Sequence, residues 1–189
     1  MNVLHPVILT VPYQLNNLSM PQRVKAISKL SRETVYISAH ISQLTISNLR
    51  QSSTGMPEPD NNVFWSVSHK PKYVCGVVSR QSIGIDIEEI RPQQKSMYAY
   101  VASEKEWECI AGNCSKNAFF RCWTAKEAVL KAEGTGIIDL LKCRVIKDMG
   151  STLLLHYHDR QWWVEHYNIN KHIAAIIHEE HDDIVWHLI

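Results

Sequence analysis

No stretch of this 189-residue chain approaches the ~20 consecutive apolar residues that a membrane-spanning helix needs. Cysteine is scarce: five residues, at positions 75, 109, 114, 122 and 143, an odd count with no C-x-x-C spacing. That argues against a disulfide framework or a zinc site and suits reduced apolar filler in a cytoplasmic protein. An excess of one charge is also missing. The net charge is +1, so no global field points to nucleic acid or to an anionic membrane. There is no low-complexity tract and no clear repeat. The start, "MNVLHPVILTVPYQL", has an apolar run without a preceding basic segment and carries Pro6 and Pro12. It is expected to be the first strand rather than a signal peptide. The ten histidines show no metal-ligand spacing.

What is there fits a soluble globular protein, with 45% hydrophobic and 21% charged residues, enough for one good-sized domain or two small ones. From Ser19 a loose helical pattern begins, with Ser19 as a cap and Pro21 in the first turn. "RQSSTGMPEPDNN", 50–62, reads as a loop. "VFWSVSH" and "YVCGVVSR" read as a hairpin across "KPK". Beyond Pro92, Ser103 and Glu106 form a capping-box pattern ahead of Trp107 and Ile110. "GNCS", 112–115, breaks that helix. A second runs from about Ser115 to Glu133, with Gly134 at its C′ position. The rest is β-rich and partly alternating, as in an antiparallel sheet. The order of elements indicates an α+β fold with lobes over 1–82 and 83–189 and no flexible linker between them.

One strand is chemically unusual. "SIGIDIEEI", 82–90, alternates Ile83, Ile85 and Ile87 on one face with Gly84, Asp86 and Glu88 on the other. Asp86 and Glu88 stand roughly 6.5–7 Å apart along the strand and repel unless a cation lies between them. Mg²⁺ suits such a pair, because it needs only one or two carboxylates beside phosphate oxygens and water. Gly84 on the same face leaves room for a ligand to approach. Glu89 lies at the strand's end and turns to solvent. Taken alone, D-x-E is common and suits a solvated sheet edge better than a metal site.

The helix "WTAKEAVLKAEG" supplies possible partners. Trp123, Glu127 and Lys131 share one stripe, with Lys126 beside it. An ordinary surface pair and a core tryptophan would have the same spacing. Together with the acidic strand, the stripe makes a set able to bind a magnesium-bound phosphate ester, with carboxylates on the metal and lysines on phosphate oxygens.

"GIDIEEI" followed by "WTAKEAVLKAEGTGI" resembles the 4′-phosphopantetheinyl transferases, whose signature is G-[IV]-D-x-E and then W-[ST]-x-K-E-x-x-x-K. The matching positions are Gly84, Asp86, Glu88, Trp123, Lys126, Glu127 and Lys131. "WSVSHK" resembles the family's S-H-[ST] motif, and "YVASEKEWECI" its aromatic–Ser–Glu helix start. The resemblance extends over about residues 55–189. By its length the chain looks like the larger surfactin-synthetase-type members, pseudo-dimers of two similar lobes with coenzyme A bound in a cleft between them.

The resemblance implies transfer of 4′-phosphopantetheine from coenzyme A to a serine of an apo acyl or peptidyl carrier protein, releasing adenosine 3′,5′-bisphosphate. It implies Mg²⁺ held by Asp86 and Glu88. Glu127 would complete the metal shell or take the serine proton. Lys131 would neutralise a pyrophosphate oxygen, and Lys126 would bind phosphate or carrier. His69 matches a histidine that contacts coenzyme phosphate, and Gly84 belongs to the same binding set. A monomer is expected, since both lobes lie in one chain. Two positions depart from the family pattern. Met56 stands where a basic residue precedes the proline of G-[KR]-P, and Lys70 replaces Ser or Thr after His69. Lys70 is expected to supply the charge Met56 lacks. Lys29 and Arg32 are candidates for the 3′-phosphate, though a solvated helix face explains them equally well. The competing readings are a non-catalytic carrier-protein-binding member and another magnesium-dependent phosphotransferase.

Overall fold

The computed structural model describes residues 2–111 and 115–189. Cys114 and the helix break expected at 112–115, apart from Ser115, lie outside the described residues. The chain divides into two units, Met1–Ile83 with His181–Ile189, and Gly84–Glu180. In chain order the first unit begins with β1 (Val3–Leu4), β2 (Val7–Thr10), α1 (Met20–Ile41), β3 (Phe64–His69) and β4 (Tyr73–Ser79). The second holds β5 (Ile85–Glu89), α2 (Lys95–Val101), α3 (Glu104–Cys109), α4 (Lys116–Glu133), β6 (Arg144–Met149), β7 (Thr152–Tyr157), β8 (Arg160–Ile169) and β9 (His172–His178). Two short strands, β10 (Asp183–Ile184) and β11 (His187–Leu188), complete the first unit. Helices and sheets are mixed as an α+β fold.

The tail departs from the lobe boundaries read from sequence. Residues 181–189 were expected in the second lobe, but β10 pairs parallel with β1, and β11 parallel with β2. The apolar pattern of "DIVWHLI" marks a strand. Its partner is a non-local choice that local pattern does not encode. The first unit's sheet, in order β11-β2-β4-β3, is therefore mixed rather than purely antiparallel.

α1 starts as its sequence suggests, with Ser19 as N-cap, a Ser19–Gln22 capping box and Pro21 in the first turn. Its pattern is loose because its buried face includes small hydroxyl residues. Ser31, Thr34 and Ser38 are buried there among Ile27, Val35 and Ala39. Their hydroxyls donate to the carbonyls of Ile27 (2.9 Å), Ser31 (2.6 Å) and His5 (2.7 Å), so burial leaves them satisfied. The helix packs on β2, β3 and β4 at close range.

The second unit is an antiparallel sheet in order β5-β9-β8-β7-β6. His158–Asp159 and Asn170–Lys171 all adopt positive φ, between 40° and 60°, giving the tight turns whose twist suits hairpins. β8 alternates, with Trp162, Val164 and His166 buried. α4 lies against β5, β8 and β9. Ser115 Oγ accepts the Ala118 amide at 3.1 Å at its start, and Gly134 ends it at φ 73°. Among the described residues no helix is long and apolar enough to cross a membrane. Cys75, Cys109, Cys122 and Cys143 are thiols rather than disulfides, and burial pushes Cys122 and Cys143 up to about 12.

Candidate active site

Strand parity puts Gly84, Asp86 and Glu88 on one face, and α4 covers that face. At Gly84 a Cβ would lie 1.8 Å from the Ala128 carbonyl oxygen, inside the helix backbone. The space that the sequence reading left for a ligand is therefore occupied by α4. Gly84 sets how closely helix and strand approach, which is a packing role rather than a ligand contact.

That approach brings side chains together. Lys131 Nζ lies 2.8 Å from Asp86 Oδ1 and donates to the Ile85 carbonyl at 3.0 Å. Eight residues earlier on α4, Trp123 Nε1 donates to Glu88 Oε1 at 3.2 Å. The two contacts run α4 antiparallel to β5. Glu127 lies one helical turn from each, between the two anchors. Asp86 is only 4% exposed, Glu88 is half-buried and Glu89 is exposed. A buried aspartate needs a compensating charge, and the Lys131 ammonium supplies it.

Lys126 does not join this group. It is fully buried, 2.7 Å from Glu106 Oε1, and it donates to the Val101 carbonyl at 2.7 Å. The expectation that it binds phosphate or carrier is corrected by its position on the core side of α4. A helical residue one place from Glu127 points about 100° away from it. Glu106 is the partner that sequence reasoning missed. It was read as a cap, and it does accept from the Ser103 amide and hydroxyl, both at 2.9 Å. It also accepts from the Val145 amide at 3.0 Å. Burial alone would raise its carboxyl. Lys126, first, and then these hydrogen bonds outweigh burial and hold it below the ordinary value.

A second brace on α4 joins residues with no local sequence signal. Arg121 grips Asp148 through both nitrogens, at 2.8 and 3.0 Å, and so ties α4 to β6. Buried His166 on β8 sits 3.0 Å from the carbonyl oxygens of both Ser151 and Arg121.

Trp123 also lines an apolar groove of about 370 Å³ with Met97, Tyr100, Ile137, Ile138 and Leu141. In the first unit, His69 ends β3 exposed, and Lys70 starts the turn to β4, its amide donating to Tyr73 at 2.8 Å. Lys29 and Arg32 are exposed on α1, beside a shallow groove they share with Gln22 and Lys25.

Whether magnesium suits the second-unit cluster depends on its donors. Among the described residues no three histidine, cysteine or acidic side chains gather as a ready-made cage. The two strand carboxylates, Asp86 and Glu88, are instead the kind of donor set that a hard cation uses when a ligand's phosphate oxygens and water fill most of its shell, with Asp86 Oδ1 already held by Lys131. The residues fit magnesium on those terms.

Residues 82–177, more than half of the chain, match the family model for the 4′-phosphopantetheinyl transferase superfamily. The chain belongs to that superfamily. The superfamily match falls almost wholly on the second unit and begins after His69 and Lys70. Among curated members, the chain is similar to 4′-phosphopantetheinyl transferase gsp of Aneurinibacillus migulanus, 31% identical over 91 residues, 47% of this chain and 38% of that protein. It is similar to 4′-phosphopantetheinyl transferase psf-1 of Bacillus pumilus, 30% identical over 112 residues, 56% of this chain and 48% of that protein. It is also similar to HetI of Nostoc sp., 33% identical over 87 residues, 43% of this chain and 37% of that protein. The aligned region thus spans less than half the length of each of these superfamily members.

Proposed function

We propose that this protein transfers 4′-phosphopantetheine from coenzyme A to a serine of an apo carrier protein, with magnesium and as a monomer. The observation that carries the reading is the Lys131–Asp86 contact at 2.8 Å, set in a helix–strand frame with Glu127 and Glu88. It joins the two signature segments across 45 residues of sequence. Each unit also sets one long helix on a sheet by way of a glycine, Gly76 under Thr34 and Gly84 under Ala128, which supports the two-lobe reading of the fold.

In the proposed reaction the serine oxygen bonds to the β-phosphorus, and the bond from that phosphorus to the bridging oxygen breaks, releasing adenosine 3′,5′-bisphosphate. Such transfers depend chiefly on positioning and charge neutralisation. Asp86 and Glu88 would hold magnesium, which when bound would offset negative charge on the pyrophosphate. Glu127 would accept the serine proton. Lys131, held by Asp86 and the Ile85 carbonyl, would place its ammonium near the leaving oxygen and give it a proton or a hydrogen bond. His69 and Lys70 would add positive charge and hydrogen bonds for coenzyme phosphate.

The test is direct. Protein, magnesium, coenzyme A and a panel of apo acyl and peptidyl carrier proteins are incubated, and the carriers are weighed by mass spectrometry. A phosphopantetheine mass gain that depends on both magnesium and coenzyme A supports the reading. Coenzyme binding without mass gain on any carrier overturns it in favour of a binding-only member.

A further inference from the structure

We infer that Trp123 is a positioning residue that fixes the Glu88 carboxylate for cation binding through its indole N–H. The inference rests on the proposed magnesium site but concerns a side chain to which that reading gives no role.

The first observation is the acceptor. The indoles of Trp65, Trp107 and Trp162 donate to backbone carbonyls, of Glu58, Tyr98 and Tyr157 respectively. That is how a core tryptophan commonly satisfies its single donor. Trp123 instead donates to a carboxylate oxygen, Glu88 Oε1, at 3.2 Å. A carboxylate that accepts one fixed hydrogen bond loses freedom to rotate, and its second oxygen is aimed.

The second observation is that the donor itself is held. Trp123 stacks on Phe119 with ring centroids 6.2 Å apart and planes 12° from parallel. Phe119 stacks in turn on Trp107 at 6.4 Å and 12°. Tyr98 meets the edge of Phe119 at 4.9 Å. Phe119 and Trp107 are buried at 2% and 5% exposure. The neighbouring turn is fixed by the Lys126–Glu106 pair at 2.7 Å, which ties α3 to α4. The ladder sets the plane of the indole, and the indole sets the glutamate. Glu88 is thereby oriented from α4, and so is Asp86, through Lys131. A surface glutamate would instead spread over many rotamers and lose that freedom on binding a cation.

Trp123→Phe tests this, because phenylalanine keeps an aromatic ring for the stack and removes the N–H together with the five-membered ring that carries it. Manganese is used as the probe, and its free concentration is followed by electron paramagnetic resonance with coenzyme A present. One hydrogen bond to a charged group corresponds to roughly a tenfold change in affinity. The dissociation constant for manganese should therefore rise about tenfold in Trp123→Phe. The half-saturating magnesium concentration for transfer should rise alongside it, with kcat at saturating magnesium nearly unchanged. In a Glu88→Gln background the same substitution should add nothing further. Thermal melting checks that the variants fold. Unchanged manganese affinity in folded Trp123→Phe overturns the inference, as does a full additional loss in the double variant. The manganese titration reads the inference even if no carrier is modified, so its failure is distinguishable from failure of the proposed reaction.

Discussion

Lys126, fully buried, makes an ion pair of 2.7 Å with Glu106, one residue along the helix from Glu127. Two adjacent positions of one motif thus face different sides of the helix, about 100° apart. Lys126 braces α4 against α3, while Glu127 lies on the stripe with Trp123 and Lys131.

Removing one partner of that pair strands the other. Lys126→Met should lower unfolding free energy by about 3–5 kcal/mol, because Glu106 is left charged and buried. The double change Lys126→Met with Glu106→Gln should recover much of that loss. Urea unfolding followed by circular dichroism reads both. A loss below 1 kcal/mol for the single variant, to order of magnitude, would remove the bracing role.

Gly84→Ala should destabilise by roughly 3 kcal/mol, since overpacking forces backbone to move. The added Cβ would meet the Ala128 oxygen at 1.8 Å and the Ala132 nitrogen at 3.1 Å, both of them backbone atoms that no rotamer change can shift. The proposed activity should fall with it, although no side chain at the site is altered. A variant as stable as the parent would show that α4 can withdraw freely.

Within the proposed reaction, Asp86→Asn and Lys131→Met should each reduce transfer by at least about a hundredfold, the scale of removing one preorganised charge. Lys131→Met also leaves Asp86 buried beside no ammonium, so melting must be measured alongside the rate. Full activity in either variant would displace the site assignment.

Acid should weaken the second unit in two stages. Burial, aided by the Arg121 charge and opposed by the carbonyls of Ser151 and Arg121, pushes His166 from 6.5 down to about 4. The unfolded chain binds that proton first, so this contribution is complete above 6.5 and is lost as pH falls toward 4. Hydrogen bonds from Arg121, followed by those from the Ala111 and Gly150 amides, overcome burial and hold Asp148 at about 2 against 3.8. Its contribution, about 2 kcal/mol, is present above 3.8 and is lost between there and about 2. Urea midpoints against pH should show both limbs. Asp148→Asn should flatten the lower limb, and a profile flat from pH 6.5 to 4 would refute the role of His166.

Local signals carried well into the structure. Ser19 with Pro21, Ser103 with Glu106, and Ser115 with Gly134 mark helix ends where the chain places them, because caps are settled within a few residues. The antiparallel meander of the second unit was visible in its alternation and turn residues. α2, a separate helix ahead of Ser103, was not resolved from the polar stretch after Pro92, since its seven residues offer too short a period to read. The tail's return to β1 and β2, and the grip of Arg121 on Asp148, join residues far apart in sequence, and nothing local announces such a pairing.

The sequence by itself determined the α+β class and the family, because both rest on spacings along the chain: Asp86 to Glu88, and Trp123 to Lys126, Glu127 and Lys131. Only the tertiary structure decided what each of those residues touches. Gly84, read as room for a ligand, became the contact point of α4, because helix and strand backbones meet there. Lys126, read as binding phosphate or carrier, became a buried brace, because the rotation per residue of an α-helix turns it away from Glu127. Spacing names the candidates, and the direction in which a packed helix faces assigns each one its partner.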